Sequence, residues 1–389
     1  MKTVYVATKA RGFLLELFNS DLEGINFIYD NKQIYETNSK KKLILSKLAR
    51  SRIADHLGII QRIKPNNEGN IIFSYNKFLN VQKDYVIYLE NPLALLNYST
   101  TKGKTLISKV KLKKYLNDPH LKAIVCLSKA CYETIHNFYS IPQSLKVEQI
   151  YPIVQSNPLT NRGEIKAKCS DDVINCLYIS SNFELKGGRE ILAAFKKLNE
   201  QGIKNIKLNI ITKQESLKST IKEEISKNKN ITLYDFRFNR EELQKFYNES
   251  CIFLNPTRQD SFSLVVLEAM KSGNTILTTD LYAIPEMVTN DENGYLIGPK
   301  YRFFNYNNLP NEEVWNNRKE TIYSNYIDTK IVQFLLEKIL YLNNNRGELT
   351  RLSLNSFDKS NREGFNTNII QGKWNLIFNQ LQKFDESTI

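Results

Sequence analysis

The chain has no apolar run approaching the roughly 20 residues that cross a bilayer as a helix, so no membrane-spanning helix is expected. Histidine is scarce: the three in the chain are far apart, which argues against a structural zinc site. The five cysteines, Cys126, Cys131, Cys169, Cys176 and Cys251, are an odd number and form no C-x-x-C pair. Cys126, Cys176 and Cys251 fall in apolar, strand-like runs. Reduced, mostly buried thiols in a cytoplasmic protein are therefore expected. The opening MKTVYVATKARGFLLEL has no uninterrupted apolar core and enters a strand pattern directly, so no signal peptide is expected. No G-x-G-x-x-G occurs; Gly12 alone follows the first strand pattern, within Lys9-Ala10-Arg11-Gly12.

What is present suits two domains. The 389 residues exceed one ordinary core, and 43 aromatics are enough to help build two. The net charge of +13 is uneven: residues 1–155 hold 23 Lys and Arg against 12 Asp and Glu, and the remainder is nearly balanced. The basic excess peaks at Lys40-Lys41-Lys42 with Lys47, Arg50 and Arg52, and again from Lys102 to Lys114. Both stretches interleave Leu, Ile or Val with the basic residues. Helices of that kind lie on anionic membrane faces, or else are plain amphipathic surface helices. No recognisable nucleic-acid motif accompanies the charge, so no nucleic-acid partner is expected.

Strand and helix patterns alternate along the chain, the signature of parallel sheets covered by helices on both faces. Strands are predicted at Thr3–Thr8, Ile25–Tyr29, Asn70–Ser74, Tyr85–Leu89, Ala123–Leu127 and Val147–Ile153. Helices are predicted at Gly12–Asn19, Lys41–Arg62, Lys104–Leu116 and Lys129–Phe138. Residues 155–170, QSNPLTNRGEIKAKCS, are polar and turn-rich and read as an interdomain linker. Beyond it, strands are predicted at Val173–Ile179, Lys207–Thr212 and Ile231–Phe236. Helices follow at Gln214–Lys227, Arg240–Asn248 and Ile331–Leu342, and a last one begins at Gly372-Lys373-Trp374. Residues 299–330 receive no role.

The stretch 251–298 organises the rest. Cys251–Leu254 reads as a buried strand and Asn255–Asp260 as a loop containing Pro256. Ser261 or Ser263 can cap a helix carrying Leu264, Val265, Leu267 and Met270, which Gly273 ends, before a second strand at Asn274–Thr279. Loops at the carboxyl ends of parallel strands are where α/β proteins bind ligands. Asp260 precedes the helix and Glu268 lies within it. The amides of Phe262 to Val265 open the helix start, where an anion is favoured, and two carboxylates can accept hydrogen bonds from sugar hydroxyls.

Together, Asn255-Pro256-Thr257, Asp260-Ser261-Phe262-Ser263-Leu264, Leu267-Glu268-Ala269-Met270, Gly273 and Ile284-Pro285-Glu286 resemble the sugar-nucleotide signature of the retaining group 1 (family 4) glycosyltransferases. That family usually shows an E-x7-E pair with Gly-Phe-Gly between the acids. Here the first acid is Asp260, and Ser261 and Ser263 replace the glycines. The resemblance implies an α/β GT-B fold, two Rossmann-like domains with parallel sheets facing across a cleft. Residues 1–154 would be the basic acceptor domain, 155–170 the linker, 171–365 the donor-nucleotide domain, and 366–389 a helix packing back on the first domain.

The resemblance also implies roles. Lys186, in Ser180-Ser181-Asn182-Phe183-Glu184-Leu185-Lys186-Gly187-Gly188, matches the lysine of the family's Gly-Arg…Lys-Gly segment, whose basic pair holds the diphosphate; Ser180-Ser181 stand at the Gly-Arg positions. Catalytic roles fall to Asp260, Lys186 and Glu90, the last replacing a histidine the family often has near Tyr88-Leu89-Glu90-Asn91-Pro92. Donor binding falls to Glu268, Ser181, Asn182, Ser261, Phe262, Ser263, Leu264 and Phe236, with Tyr234 an alternative base-stacking ring. Gly12 belongs to a loop facing donor and acceptor. The expected reaction moves a sugar, with retention, from a UDP- or GDP-linked donor to a glycan or lipid-linked acceptor. No metal or cofactor is expected, no D-x-D being placed to hold one. The rival readings are a catalytically inactive nucleotide-binding partner subunit and a sugar-nucleotide epimerase or phosphorylase.

Overall fold

A computed structural model describes the chain except for residues 10, 30–53, 56, 66–68, 363 and 382–389. The expected helix at Lys41–Arg62 and the basic run at Lys40–Arg52 fall mainly or wholly outside the described residues. The chain divides into two compact units, Met1–Val154 with Glu363–Ile389, and Gln155–Arg362.

In the first unit the strands are β1 (Lys2–Val6), β2 (Ile25–Ile28), β3 (Arg62–Ile63), β4 (Ile71–Tyr75), β5 (Phe78–Leu79), β6 (Tyr85–Leu89), β7 (Leu121–Cys126) and β8 (Lys146–Gln149). Six form one parallel sheet in the order β2-β1-β4-β6-β7-β8, and β3 pairs with β5 separately. The helices are α1 (Leu14–Phe18), α2 (Leu106–Leu116) and α3 (Lys129–Phe138). Every residue of β4 and β6 is buried, which is why β6 reads as an unbroken apolar run rather than an alternating one and β4 is interrupted only by Ser74. Ser128 caps α3 by accepting from the amide of Cys131, and Thr105 caps α2 by accepting from that of Ser108.

The second unit opens with a correction. Residues 162–170, expected to be linker, form helix α4 (Arg162–Ser170), capped by Asn161. Its Ile165 and Cys169 are fully buried in the core of the second unit; two apolar residues among polar ones are enough to seat a short helix on one side. Strands β9 (Ile174–Ser180), β10 (Ile206–Thr212), β11 (Ile231–Asp235), β12 (Ile252–Asn255), β13 (Thr275–Thr279) and β14 (Gly294–Ile297) form a parallel sheet in the order β11-β10-β9-β12-β13-β14. Between them run α5 (Gly188–Glu200), α6 (Ser219–Lys227), α7 (Arg240–Glu249), α8 (Leu264–Lys271) and α9 (Ile284–Met287). The segment 299–330 carries α10 (Glu312–Asn316), with Trp315 stacked on Phe303 at 4.1 Å.

Two long helices, α11 (Thr329–Asn344) and α12 (Arg346–Asn361), complete the second unit. The second has no evident apolar stripe because serine fills it: Ser353, Ser356 and Ser360 are buried beside Leu349 and Leu352. The last helix, α13 (Thr367–Gln380), starts at the head of the expected 366–389 segment, one turn before the apolar pattern at Gly372, because Asn366 caps it, accepting from the amides of Asn368 and Ile369. It belongs to the first unit: Trp374 packs against Phe73 and Tyr88, with ring centroids 5.8 and 5.2 Å away, and Phe378 meets Phe27. Among the described residues, no helix is long and apolar enough to cross a membrane.

Trp374 is almost wholly enclosed, so its side chain anchors α13 to a sheet distant in sequence. Trp374→Ala should cost about 3–5 kcal/mol of stability, read as a lower denaturant midpoint in chemical unfolding; a loss under about 1 kcal/mol would show that α13 is held by something else.

Candidate functional site

In the second sheet the chain starts at β9, moves outward through β10 to β11, and then returns to place β12 on the other side of β9. Such a reversal leaves a crevice at the carboxyl ends of the two central strands, where ligands of doubly wound sheets bind. Those ends are Ser180 and Asn255, so the loops 181–187 and 256–263 flank the crevice. The two loops touch closely. Gly187 has φ +77°, and a Cβ there would lie 2.1 Å from the carbonyl oxygen of Pro256; only glycine permits that approach. The amide of Arg258 donates to the carbonyl of Leu185 at 3.0 Å, joining the loops a second time.

Arg258 secures the loop from behind. Its guanidinium is buried; Nη2 donates to Glu190 Oε1 at 2.6 Å and to the Tyr326 carbonyl at 2.8 Å, and Nη1 reaches the carbonyls of Ile322 and Ser324. The ring of Tyr326 lies beneath it, 4.1 Å from centroid to Cζ. Glu190 is equally buried and also accepts from the amide of Asp328 at 3.0 Å. One planar cation with five donors thus binds α5, the 256–263 loop and the otherwise unassigned segment 299–330 into one body. The sequence reading passed over both residues, since a buried ion pair has no local pattern.

On the crevice side, Lys186 Nζ donates to Asp260 Oδ2 at 2.6 Å and to the Gln259 carbonyl at 2.7 Å. Asp260 Oδ1 accepts from the amides of Ser261 at 2.9 Å and Phe262 at 3.3 Å. Of the amides of Phe262 to Val265, expected to favour an anion, that of Phe262 is thus engaged by the Asp260 carboxylate. The expected serine cap is corrected. Ser263 stands before Leu264, the first residue of α8, but makes no side-chain cap. Its backbone is left-handed, with φ +69°, and its hydroxyl accepts from Asn255 Nδ2 at 3.0 Å. A position that needs left-handed backbone suits glycine. Gly273 ends α8 in left-handed backbone, φ +63°, as expected of a helix-terminating glycine. Phe262 is buried, so its ring is part of the core, and Leu264 is half-buried.

Glu268 is half-buried on α8, and the phenol of Tyr247, from α7, donates to its Oε2 at 2.7 Å. Burial and then the neighbouring Glu268 raise the Tyr247 pKa well above that of a free phenol, so Tyr247 stays a proton donor. It too escaped the sequence reading, although its ring is buried one strand away from the motif. Ser181 and Asn182 are exposed at the mouth of the crevice; Asn182 Oδ1 accepts from the amide of Leu185 and shapes the turn. The structure separates the two candidate stacking rings. Tyr234 packs against Phe238 and Phe246, whereas Phe236 presents an exposed ring.

The first unit holds a separate cluster at its own reversal, between β1 and β4. Glu90 is buried after β6 and accepts from the phenols of Tyr75 and Tyr98. Arg11 Nη1 lies 3.5 Å from Glu90 Oε2, and its guanidinium is over the Tyr75 ring. Asn76, Asn97 and Tyr98 all have left-handed backbone around this carboxylate, the kind of local strain that gathers at functional sites. Gly12 is exposed and a Cβ there would meet nothing within 4 Å. No steric need explains that glycine, and Arg11 beside it is the residue that engages the cluster.

Glu190→Gln should leave the Arg258 charge buried without its counter-ion and cost about 3 kcal/mol. Urea unfolding of the two proteins checks this; equal midpoints would mean that the carbonyls and Tyr326 suffice to hold Arg258.

Residues 174–302 match the model of the family "Glycosyl transferases group 1". A protein of Klebsiella pneumoniae described as an uncharacterized 41.2 kDa protein in the cps region is 22% identical over 325 residues, covering 76% of this chain and 86% of that one. TarM of S. aureus shares 17% identity with a TM-score of 0.54, over 79% of this chain. The chain spans 54% of TarM's length. HepE of Anabaena, crystallised with UDP-glucose, shares 13% identity with a TM-score of 0.60, over 98% of this chain and 100% of its own. The chain therefore has the GT-B fold, its residues 174–302 are similar to the group 1 glycosyl transferases, and these likenesses support a glycosyltransferase.

Proposed function

We propose that the chain transfers a sugar, with retention of anomeric configuration, from a UDP-linked donor to a glycan or lipid-linked acceptor, without a metal ion. The observation that carries this reading is the pairing of Lys186 with Asp260 across the two loops that flank the crevice, where a doubly wound sheet binds ligands, with Glu268 on the helix that follows the second loop. HepE was crystallised with UDP and with UDP-glucose, and TarM with UDP, which supports a UDP-linked donor over a GDP-linked one. The relative from a cps region supports a role in making a polysaccharide.

The chemical difficulty is the departure of a nucleoside diphosphate as negative charge builds on it. Lys186 is the cation for that charge, an electrostatic form of catalysis. In the structure it is held by Asp260. On this reading the diphosphate takes the ammonium from Asp260, and the released carboxylate turns to the hydroxyls of the transferred sugar. Glu268, steadied by the Tyr247 phenol, accepts from the ribose hydroxyls, and the exposed Phe236 ring stacks on the base. Ser181 and Asn182 border the diphosphate. Glu90, with Arg11, serves the acceptor or the transferred sugar from the first unit. The Lys186–Asp260 contact also favours a second reading, a partner subunit that binds nucleotide and transfers nothing.

The first experiment is thermal stabilisation by UDP-, GDP-, ADP- and CMP-linked sugars, with and without Glu268→Ala. At a hundredfold excess over the dissociation constant, a UDP-sugar should stabilise the protein by about 2.7 kcal/mol, and Glu268→Ala should remove the shift. No shift with any nucleotide would sink the donor site. A shift without donor turnover on any acceptor would select the partner-subunit reading, and the anomeric signal of a product by NMR decides retention.

Tyr247→Phe removes one hydrogen bond to Glu268 and keeps the ring. The donor KM should rise about five- to tenfold with kcat little changed, since the bond is worth about 1–1.5 kcal/mol. An unchanged KM would show that Glu268 needs no such support.

A further inference from the structure

Residues 303–328 lie past the 174–302 stretch that matches the family model, and α10 is their one short helix. The segment is nonetheless firmly built. Phe303 and Phe304 are buried. The Trp315 indole, stacked on Phe303, donates to the Phe303 carbonyl at 2.7 Å, and Phe304 stacks on Tyr282 with ring centroids 4.1 Å apart. A tight loop rises from that base. The Asn305 carbonyl accepts from the amide of Asn308 at 3.0 Å, and its side chain accepts from the amides of Asn307 and Leu309 at 2.9 and 3.0 Å. Tyr306 stands on this loop, 80% exposed. Nothing buries its ring, yet the ring has a fixed seat. The guanidinium carbon of Arg302 lies 3.9 Å from the ring centroid, and Arg302, itself mostly enclosed, donates to Asp280 at 3.0 Å. A ring held on one face by an anchored cation turns its other face to solvent.

A second exposed ring stands on the same edge of the sheet. Tyr323 is 49% exposed, and its phenol donates to Gln259 Oε1 at 3.3 Å. Gln259 lies in the loop after β12, and Asp280, the anchor of Arg302, follows β13. The Thr279 hydroxyl donates to the Thr257 carbonyl at 2.7 Å and joins these two strand ends. Both rings therefore border the carboxyl edge at which the crevice opens. Their surroundings are polar but not basic. Residues 303–328 include seven Asn, and only Arg318 and Lys319 stand against Glu312, Glu313, Glu320 and Asp328, so no basic excess is present to draw a phosphate or an anionic surface. Asn305 and Asn307 flank Tyr306, and Ser324 and Asn325 follow Tyr323, whereas the core of a protein interface is a continuous apolar surface. Single aromatic faces set among amides and hydroxyls match a sugar. The C–H bonds on one face of a pyranose lie on the electron-rich ring, and the hydroxyls at its rim pair with the polar side chains.

We propose that this edge of the second unit is a glycan-binding strip, on which Tyr306 and Tyr323 each stack a neutral sugar unit of the acceptor chain, outside the unit that reacts. The proposal rests on the glycosyl-transfer reading above and narrows its acceptor to a glycan. The test is saturation-transfer NMR of the full chain with maltohexaose, cellohexaose and chitohexaose, each beside its own monosaccharide. At least one hexasaccharide should bind, and more tightly than its monosaccharide. Tyr306→Ala and Tyr323→Ala should each weaken that binding about five- to tenfold, and the double variant should remove it. Tyr306→Phe and Tyr323→Phe should bind as the wild type does, because the ring and not the hydroxyl makes the contact. Both positions are exposed, so all variants should keep the wild-type melting temperature and its shift with a UDP-sugar. Glycan binding through these rings without any nucleotide shift would sink the donor reading and leave the strip standing. The proposal is overturned if no hexasaccharide binds, if the alanine variants bind as the wild type does, or if the phenylalanine variants lose as much as the alanine ones. It is also overturned if Tyr323→Ala abolishes the UDP-sugar shift, since that ring would then belong to the nucleotide.

Discussion

The second unit depends on the buried pair of Arg258 and Glu190. Two opposite charges removed from water cost several kcal/mol each unless they are paired and hydrogen-bonded. Here the guanidinium reaches one carboxylate, three backbone carbonyls and an aromatic face. The carbonyls come from residues 322–326, a segment with little regular structure of its own. The pair thus converts a loosely patterned stretch into the back wall of the 256–263 loop, and that loop carries Asp260. A hydrophobic substitute could fill the volume, but it could not bind three chain segments at fixed angles.

On the front of the same loop, charge is arranged for exchange rather than for permanence. Lys186 and Asp260 meet at 2.6 Å with both side chains partly accessible, so water screens the contact and its net worth is small. On the reading proposed above, an incoming diphosphate would compete for such a lysine, whereas it could not compete for the buried Arg258. Gly187 makes the arrangement possible, because its missing side chain lets the lysine-bearing loop lie against Pro256. The contrast between a sealed pair behind the loop and an open pair in front gives the crevice a rigid floor and replaceable contacts.

The first unit uses its polar groups differently. Glu90 is enclosed by two phenols and approached by Arg11, and three neighbouring non-glycine residues hold left-handed backbone to make this fit. On a separate part of that unit, α2 leaves aliphatic side chains in water where a surface helix would normally place polar ones. Both features run against local preference.

Much of this was legible in the chain itself. The unbroken apolar runs at Tyr85–Leu89 and Cys251–Leu254 announced strands buried on both faces, because helices cover a parallel sheet on either side. Asp260, Ser263, Glu268 and Gly273 could be placed on a loop and helix by spacing alone. Sequence could not show that Asp260 would close on Lys186, that Tyr247 would reach Glu268, or that Leu57 would lie beside α2, since those partners are brought together by crossovers between distant segments. It also missed α4 and α12, whose buried faces rely on one or two apolar residues and on serine. Local periodicity determines which segments become strands and helices, because each must hide an apolar face. Which charges meet was decided only by tertiary structure, because a single ion pair leaves no periodic trace and its partners are fixed by the order of strands in the sheet.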